Sequence, residues 1–96
     1  MGYNVIVKEE ALADALDAYL YYEEKQEGLG ERFLQALHER YIHIAQNPQF
    51  YSFVYADKER TLRDVQLIGF PFVIIYDIIE TDVIVYSIHN TYKNRE

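Results

Sequence analysis

Four side chains crowd the end of this chain: His89, Tyr92, Lys93 and Arg95. Imidazole moves protons near neutral pH, while an amine and a guanidinium hold phosphate oxygens or offset charge that builds on them. Such a set binds a phosphate. With a general acid or base it also suits cleavage of a phosphodiester assisted by the neighbouring 2′-hydroxyl. The plainer reading is a solvated terminus with ordinary polar residues. Arg60 and Arg63 form a second candidate pair, able to grip a phosphate or a partner carboxylate. Strand side chains alternate, so positions 60 and 63 face opposite sides unless a bulge intervenes, and only one of them joins a shared site. The plainer reading of this pair is a surface salt bridge with Asp64, worth little.

Other constellations carry less. His38 and His43 are separated by about 140° around a helix and share no face, so no metal pair is expected there. Glu9-Glu10 and Glu23-Glu24 diverge by about 100° and read as solvated faces rather than catalytic pairs. Of the ten tyrosines, Tyr19, Tyr22, Tyr41 and Tyr76 fall on apolar stripes and read as core. Tyr21, Tyr51 and Tyr55 are the candidates for exposed stacking platforms.

The elements that position these groups follow from periodicity. Tyr3, Val5 and Val7 alternate with Asn4, Ile6 and Lys8, predicting a short strand. Residues 11–27 predict a helix whose buried stripe is Leu12, Ala15, Leu16, Tyr19 and Tyr22, with Asp14, Asp17 and Glu24 on the far face. Gly28 is the expected stop and Gly30 allows a tight reversal. A second helix runs to about Gln46 with Phe33, Leu37, Tyr41 and Ile44 inward, and Asn47-Pro48 ends it. An irregular aromatic stretch precedes a strand expected over residues 60–67. Gly69 and Pro71 mark a bend, and two apolar strands follow, 72–79 and 83–88, joined by a Glu80-Thr81-Asp82 turn. The polar tail then begins near residue 88. The order β-α-α-β-β-β predicts a single α+β domain over 1–96, with a helical hairpin packed on a mainly antiparallel four-stranded sheet.

Ninety-six residues, half of them hydrophobic, make one modest core. The apolar runs are too short to span a bilayer, the N-terminus shows no basic and apolar leader, and cytoplasmic is the expected location. Zero cysteines exclude disulfides and thiolate metal sites. The net charge of −7 opposes nucleic-acid binding by the molecule as a whole. That charge is uneven: residues 1–54 carry −5 and residues 55–96 only −2. A local basic site on an acidic body is therefore allowed, without fast steering towards RNA.

In order along the chain stand Tyr-x-Val in the first strand, a helix ending near Tyr-Tyr-Glu, Gly-Leu-Gly-Glu-Arg-Phe, and Asn-Pro. An Arg-bearing strand, Phe-Pro-Phe-x-Ile-x-Tyr and a last strand ending in His complete the series. This pattern, spanning residues 3–95, resembles the RelE/ParE superfamily of bacterial type II toxin–antitoxin toxins, which includes plasmid stabilisation proteins. The resemblance implies a toxin neutralised by a cognate antitoxin that lays a helix or strand along its surface. It implies no cofactor and no metal. Two targets follow from it, DNA gyrase or the ribosome with its messenger RNA. For a ribonuclease of this family the matching catalytic positions are Arg63, His89 and Tyr92, with Arg60, Lys93 and Arg95 as target-binding cations. Arg63 matches the arginine of the family's middle strand. In the ribonuclease members that strand is rich in Lys and Arg. Here Lys58 lies between Asp57 and Glu59, and Asp64 follows Arg63. The departure favours a gyrase poison, which needs no phosphodiester chemistry, over the ribonuclease; a member without toxicity that serves as a binding module is the third class. The acidic helices predict an antitoxin segment richer than usual in basic residues.

Overall fold

A computed structural model describes residues 2–92. Seven short elements follow one another: β1 (Asn4–Val7), α1 (Glu9–Lys25), α2 (Leu29–Gln46), a 3-10 turn (Pro48–Phe50), β2 (Arg63–Gln66), β3 (Phe72–Ile79) and β4 (Asp82–Asn90). The sheet order is β1-β4-β3-β2. The β2–β3 and β3–β4 pairs are antiparallel, and the N-terminal strand lies parallel to β4. The helical hairpin covers one face, as an α+β reading of the sequence requires.

α2 is the helix that its sequence describes. Phe33, Leu37 and Ile44 are buried and Tyr41 packs against them. α1 is rotated from expectation. Leu12 and Leu16 are 57% exposed and Leu20 is 55% exposed, while Ala11 and Ala18 are buried with Ala15 and Tyr22 packed beside them. Two neighbouring stripes of α1 repeat at helical spacing, and the small one faces the sheet. Alanines let the helix sit close on β4, close enough for Asp14, expected in solvent, to accept the Ile88 backbone N–H at 2.8 Å. That N–H needs a partner because β1 stops short: its last ladder partner is Val85.

The hairpin joint also differs from a simple glycine stop. α1 ends with a Gln26 cap, and Gly28, at φ +88°, precedes α2. The Glu23 carboxylate accepts the amides of Gly28 and Gly30, both at 2.9 Å, and so fills the open N-terminus of α2. Gly30 lies inside α2, not in a reversal. A Cβ there would stand 2.7 Å from the Tyr19 carbonyl oxygen, so its role is close approach of the two helices.

β3 alternates cleanly. Phe72, Ile74 and Tyr76 are buried towards the helices, and Val73, Ile75 and Asp77 take the other face. A two-residue turn with Glu80 at φ +56° leads into β4, so Asp82 belongs to the strand. A register shift between Ile75 and Tyr76 moves the β4 partner from Ser87 to Val85, leaving Tyr86 as the extra residue of a bulge. β4 runs further than the apolar pattern suggested: His89 and Asn90 are ladder residues opposite Val73 and Phe72.

Tyr76 ties the layers together. Its hydroxyl donates to the Pro48 carbonyl at 2.7 Å, and burial pushes its phenol up to about 12 against the opposing effect of the nearby Arg63. At the other end of the sandwich Tyr22, Phe33, Phe70 and Phe72 form a ring cluster with centroids 5.0–6.1 Å apart, so the Phe-Pro-Phe turn is anchored by both its phenylalanines.

Candidate functional site

Register decides where the two candidate groups of the sequence point. Arg63 pairs with Tyr76 and His89 with Val73. Paired residues share a face, and positions 73 and 76 of a regular strand do not. Arg63 therefore lies on the helix-covered face and His89 on the opposite face. The structure does not bring these two together.

Each has a local occupation. One Arg63 nitrogen donates to the Tyr51 carbonyl at 2.6 Å and, more weakly, to that of Gln49 at 3.3 Å. Its guanidinium also lies 4.0 Å from the Phe53 ring centroid. The side chain thus pins the segment after α2 to the sheet edge. His89 is exposed, with Nε2 3.3 Å from the Ser87 hydroxyl, two residues back on the same face. Tyr92 is exposed at the end of the described chain, its amide donating to Asn90 Oδ1 at 2.9 Å. A shallow groove of about 300 Å³ runs between α1 and this end of β4, with Asp14, Asp17, Tyr21 and Asn90 on its walls. Lys93 and Arg95 lie outside the described residues.

Arg60 is not on a strand. It sits in a loop at φ +59°, exposed, with its guanidinium 5.8 Å from the Phe53 ring centroid. β2 starts three residues late because Asp57 organises the preceding turn. Its carboxylate accepts the backbone amides of Glu59, Thr61 and Leu62 at 3.2, 2.8 and 2.7 Å. Those bonds, that from Leu62 foremost, hold the Asp57 carboxyl below its usual range. Asp64, on the open face opposite Ile75, is pushed the other way by burial.

A third cluster escaped the sequence reading. Tyr51, expected as an exposed platform, is half-buried and central to it. Its hydroxyl accepts from Arg40 at 3.1 Å and makes a short hydrogen bond with His43 Nδ1. With His43 neutral, the hydroxyl donates to Nδ1 and the ring proton sits on Nε2. Arg40 Nε donates to the Gln66 carbonyl at 2.9 Å, which fixes its plane. Phe50 packs edge-on against both His43 and Tyr51, at 5.7 and 5.1 Å. The signal for this cluster was present: Arg40 and His43 share a helix face at i, i+3 spacing, and Asn47-Pro48 turns the next aromatics back onto that face. Among the described residues, no group of three or more His, Asp or Glu side chains is placed to hold a metal ion. No helix among them is long and apolar enough to cross a membrane.

Comparison with known proteins fits this architecture. The chain is similar in fold to the chromosomal ParDE toxin–antitoxin system of P. aeruginosa, with a TM-score of 0.74 at 16% identity, covering 92% of this chain and 95% of that one. It is similar also to a mutant of the E. coli toxin RelE in the free state, with a TM-score of 0.63 at 14% identity, covering 98% of this chain and 88% of that one. No curated protein matches by sequence. The family model described as ParE toxin of type II toxin-antitoxin system, parDE, matches residues 5–93. With that match over nearly its whole length, the chain belongs to the ParE toxin family, within the RelE/ParE superfamily of type II toxin–antitoxin systems.

Proposed function

We propose that this toxin arrests growth by binding its target rather than cutting it, that the target is DNA gyrase, and that a cognate antitoxin neutralises it in the cytoplasm. One observation carries the reading: Arg63 and His89 stand on opposite faces of the sheet. Phosphodiester cleavage needs a proton-transfer group and a cation within hydrogen-bond reach of one reacting centre. Here the backbone of the sheet lies between them, and the guanidinium of Arg63 is engaged by backbone carbonyls. A poison that works by occupying a surface needs no such convergence.

The exposed leucines of α1 supply the antitoxin surface. Leu12, Leu16 and Leu20 recur at i, i+4 and i+8, more than half exposed, with Asp17 and Glu24 nearby on the helix. An amphipathic helix with an apolar stripe and basic flanks is the complementary partner.

Induced expression separates the targets. A gyrase poison triggers the DNA damage response and filamentation while protein synthesis continues at first, and the purified protein inhibits supercoiling by gyrase. Immediate arrest of translation with cleaved messenger RNA would refute the proposal. Leu16→Glu keeps its toxicity but escapes the antitoxin; full neutralisation of that variant would remove the leucine stripe from the interface.

A further inference from the structure

Charge on this molecule is segregated more sharply than its halves suggest. Residues 40–63 hold four basic and two acidic side chains, a net of +2, while the rest of the chain carries −9. The same stretch holds five aromatic residues, Tyr41, Phe50, Tyr51, Phe53 and Tyr55. In space the two kinds interleave along the β2 edge. Arg40 lies 5.8 Å from the Tyr51 centroid, and Phe50 stands against His43. Further along, Arg60 and Arg63 both lie against the Phe53 ring.

Two of these rings have no covering. Phe50 is 73% exposed and Tyr55 is fully exposed. An exposed phenylalanine fixed by two neighbouring rings is a rigid platform, not a frayed side chain. The His43 ring stands beside Phe50 and Tyr51, 5.7 and 5.5 Å from their centroids, and so belongs to the same platform. Guanidiniums held flat by aromatic rings and backbone carbonyls are ordered before any ligand arrives.

We infer that the strip Arg40–His43–Phe50–Tyr55–Arg60 is a contact surface for a single strand of nucleic acid, with phosphates on the cations and bases stacked on Phe50 and Tyr55. Cations alone would suit an acidic peptide equally. The uncovered rings set between them favour a ligand that alternates anions with flat faces. The −9 of the remaining surface repels such a ligand at long range, so binding is weak, local and confined to this edge. The strip lies on the edge away from the β1 side of the sheet, and the inference stands whether or not gyrase is the target.

The test is fluorescence anisotropy of the full-length toxin with labelled 15-nucleotide dT and rU strands, and with a labelled oligo-glutamate of equal length. About two phosphate contacts, from Arg40 and Arg60, imply about sevenfold weaker binding between 50 and 200 mM salt. Phe50→Ala and Tyr55→Ala each weaken binding about tenfold, as loss of one stacked base requires. Arg60→Asn, which tolerates the left-handed backbone, weakens binding and makes the salt slope shallower by about 0.7. Ala13→Ser, at an exposed position of α1, leaves it unchanged. Equal affinity for dT and rU, or preference for either, supports the surface and identifies whether DNA or RNA is the better ligand. No binding of either strand at low salt overturns it. So does binding that Phe50→Ala and Tyr55→Ala leave intact, or oligo-glutamate binding as tightly as the strands, which would assign the strip to an acidic protein.

Discussion

Replacing Arg63 with alanine separates a structural arginine from a catalytic one. The side chain makes a 2.6 Å charged hydrogen bond to the Tyr51 carbonyl, a weaker one to Gln49 at 3.3 Å, and a close stack on Phe53. A hydrogen bond from a charged group contributes about 1.5–3 kcal/mol, and a partly exposed cation–π contact about 0.5–1 kcal/mol. These overlap and the site is half-buried, so a loss of about 2–3 kcal/mol is the reasonable sum. For a domain near this size each kcal/mol lowers Tm by about 4–8 °C, which gives a fall of about 10–20 °C. Thermal unfolding followed by circular dichroism measures it. Arg63→Lys should fall between the two, since an ammonium cannot span both carbonyls and stack on the ring. Growth arrest by Arg63→Ala should persist at a temperature well below its Tm. A variant with wild-type Tm and no toxicity would refute the argument and return Arg63 to the active centre.

Three other perturbations test the packing. Gly30→Ala places a methyl group against the Tyr19 backbone and ring and against the Glu23 carboxylate, and should cost about 1–3 kcal/mol by denaturant unfolding, despite alanine's better helix propensity. Tyr76→Phe leaves the Pro48 carbonyl without its buried donor and should cost about 1–2 kcal/mol; an unchanged midpoint would mean that water replaces the hydroxyl. Asp57, with its carboxyl held below the usual range, stabilises its loop above the ordinary carboxylate pKa of about 4, and that stabilisation is lost as pH falls through the lower folded value. Amide exchange of Thr61 and Leu62 should accelerate in that acid window, and Asp57→Ala should abolish the pH dependence.

The order of elements and the α2 stripe were legible because Phe33, Leu37, Tyr41 and Ile44 have no competing stripe beside them. α1 is legible only in part: Ala15 and Tyr22 of its expected stripe pack inward, while Leu12 and Leu16 face solvent. Leucines at 12, 16 and 20 and alanines at 11, 15 and 18 run side by side, and hydrophobicity alone selects the larger residues. What decides is the distance between helix and sheet, which the sequence of the helix does not contain. The late start of β2 came from the Asp57 turn, whose bonds reach two to five residues ahead. The separation of Arg63 from His89 depended on cross-strand register, since each residue's face follows from its partner in β3. The Tyr51 cluster joins a helix, a 3-10 turn and a strand, so no local window displays it.

The parallel pairing of β1 with β4 sets the order in which this molecule can be completed. β1 is synthesised before the other elements of the fold, yet its ladder partners are Asp82, Val83, Ile84 and Val85. The helical hairpin has local contacts and can close early, whereas β1 has no strand to pair with until β4 is made. At ordinary synthesis rates, the interval between Gln46 and Asn90 lasts roughly 2–9 s. Through that interval a nascent toxin carries its leucine-faced α1 but not its finished sheet. The helix proposed as the antitoxin's docking surface is therefore made before the sheet it packs on is complete.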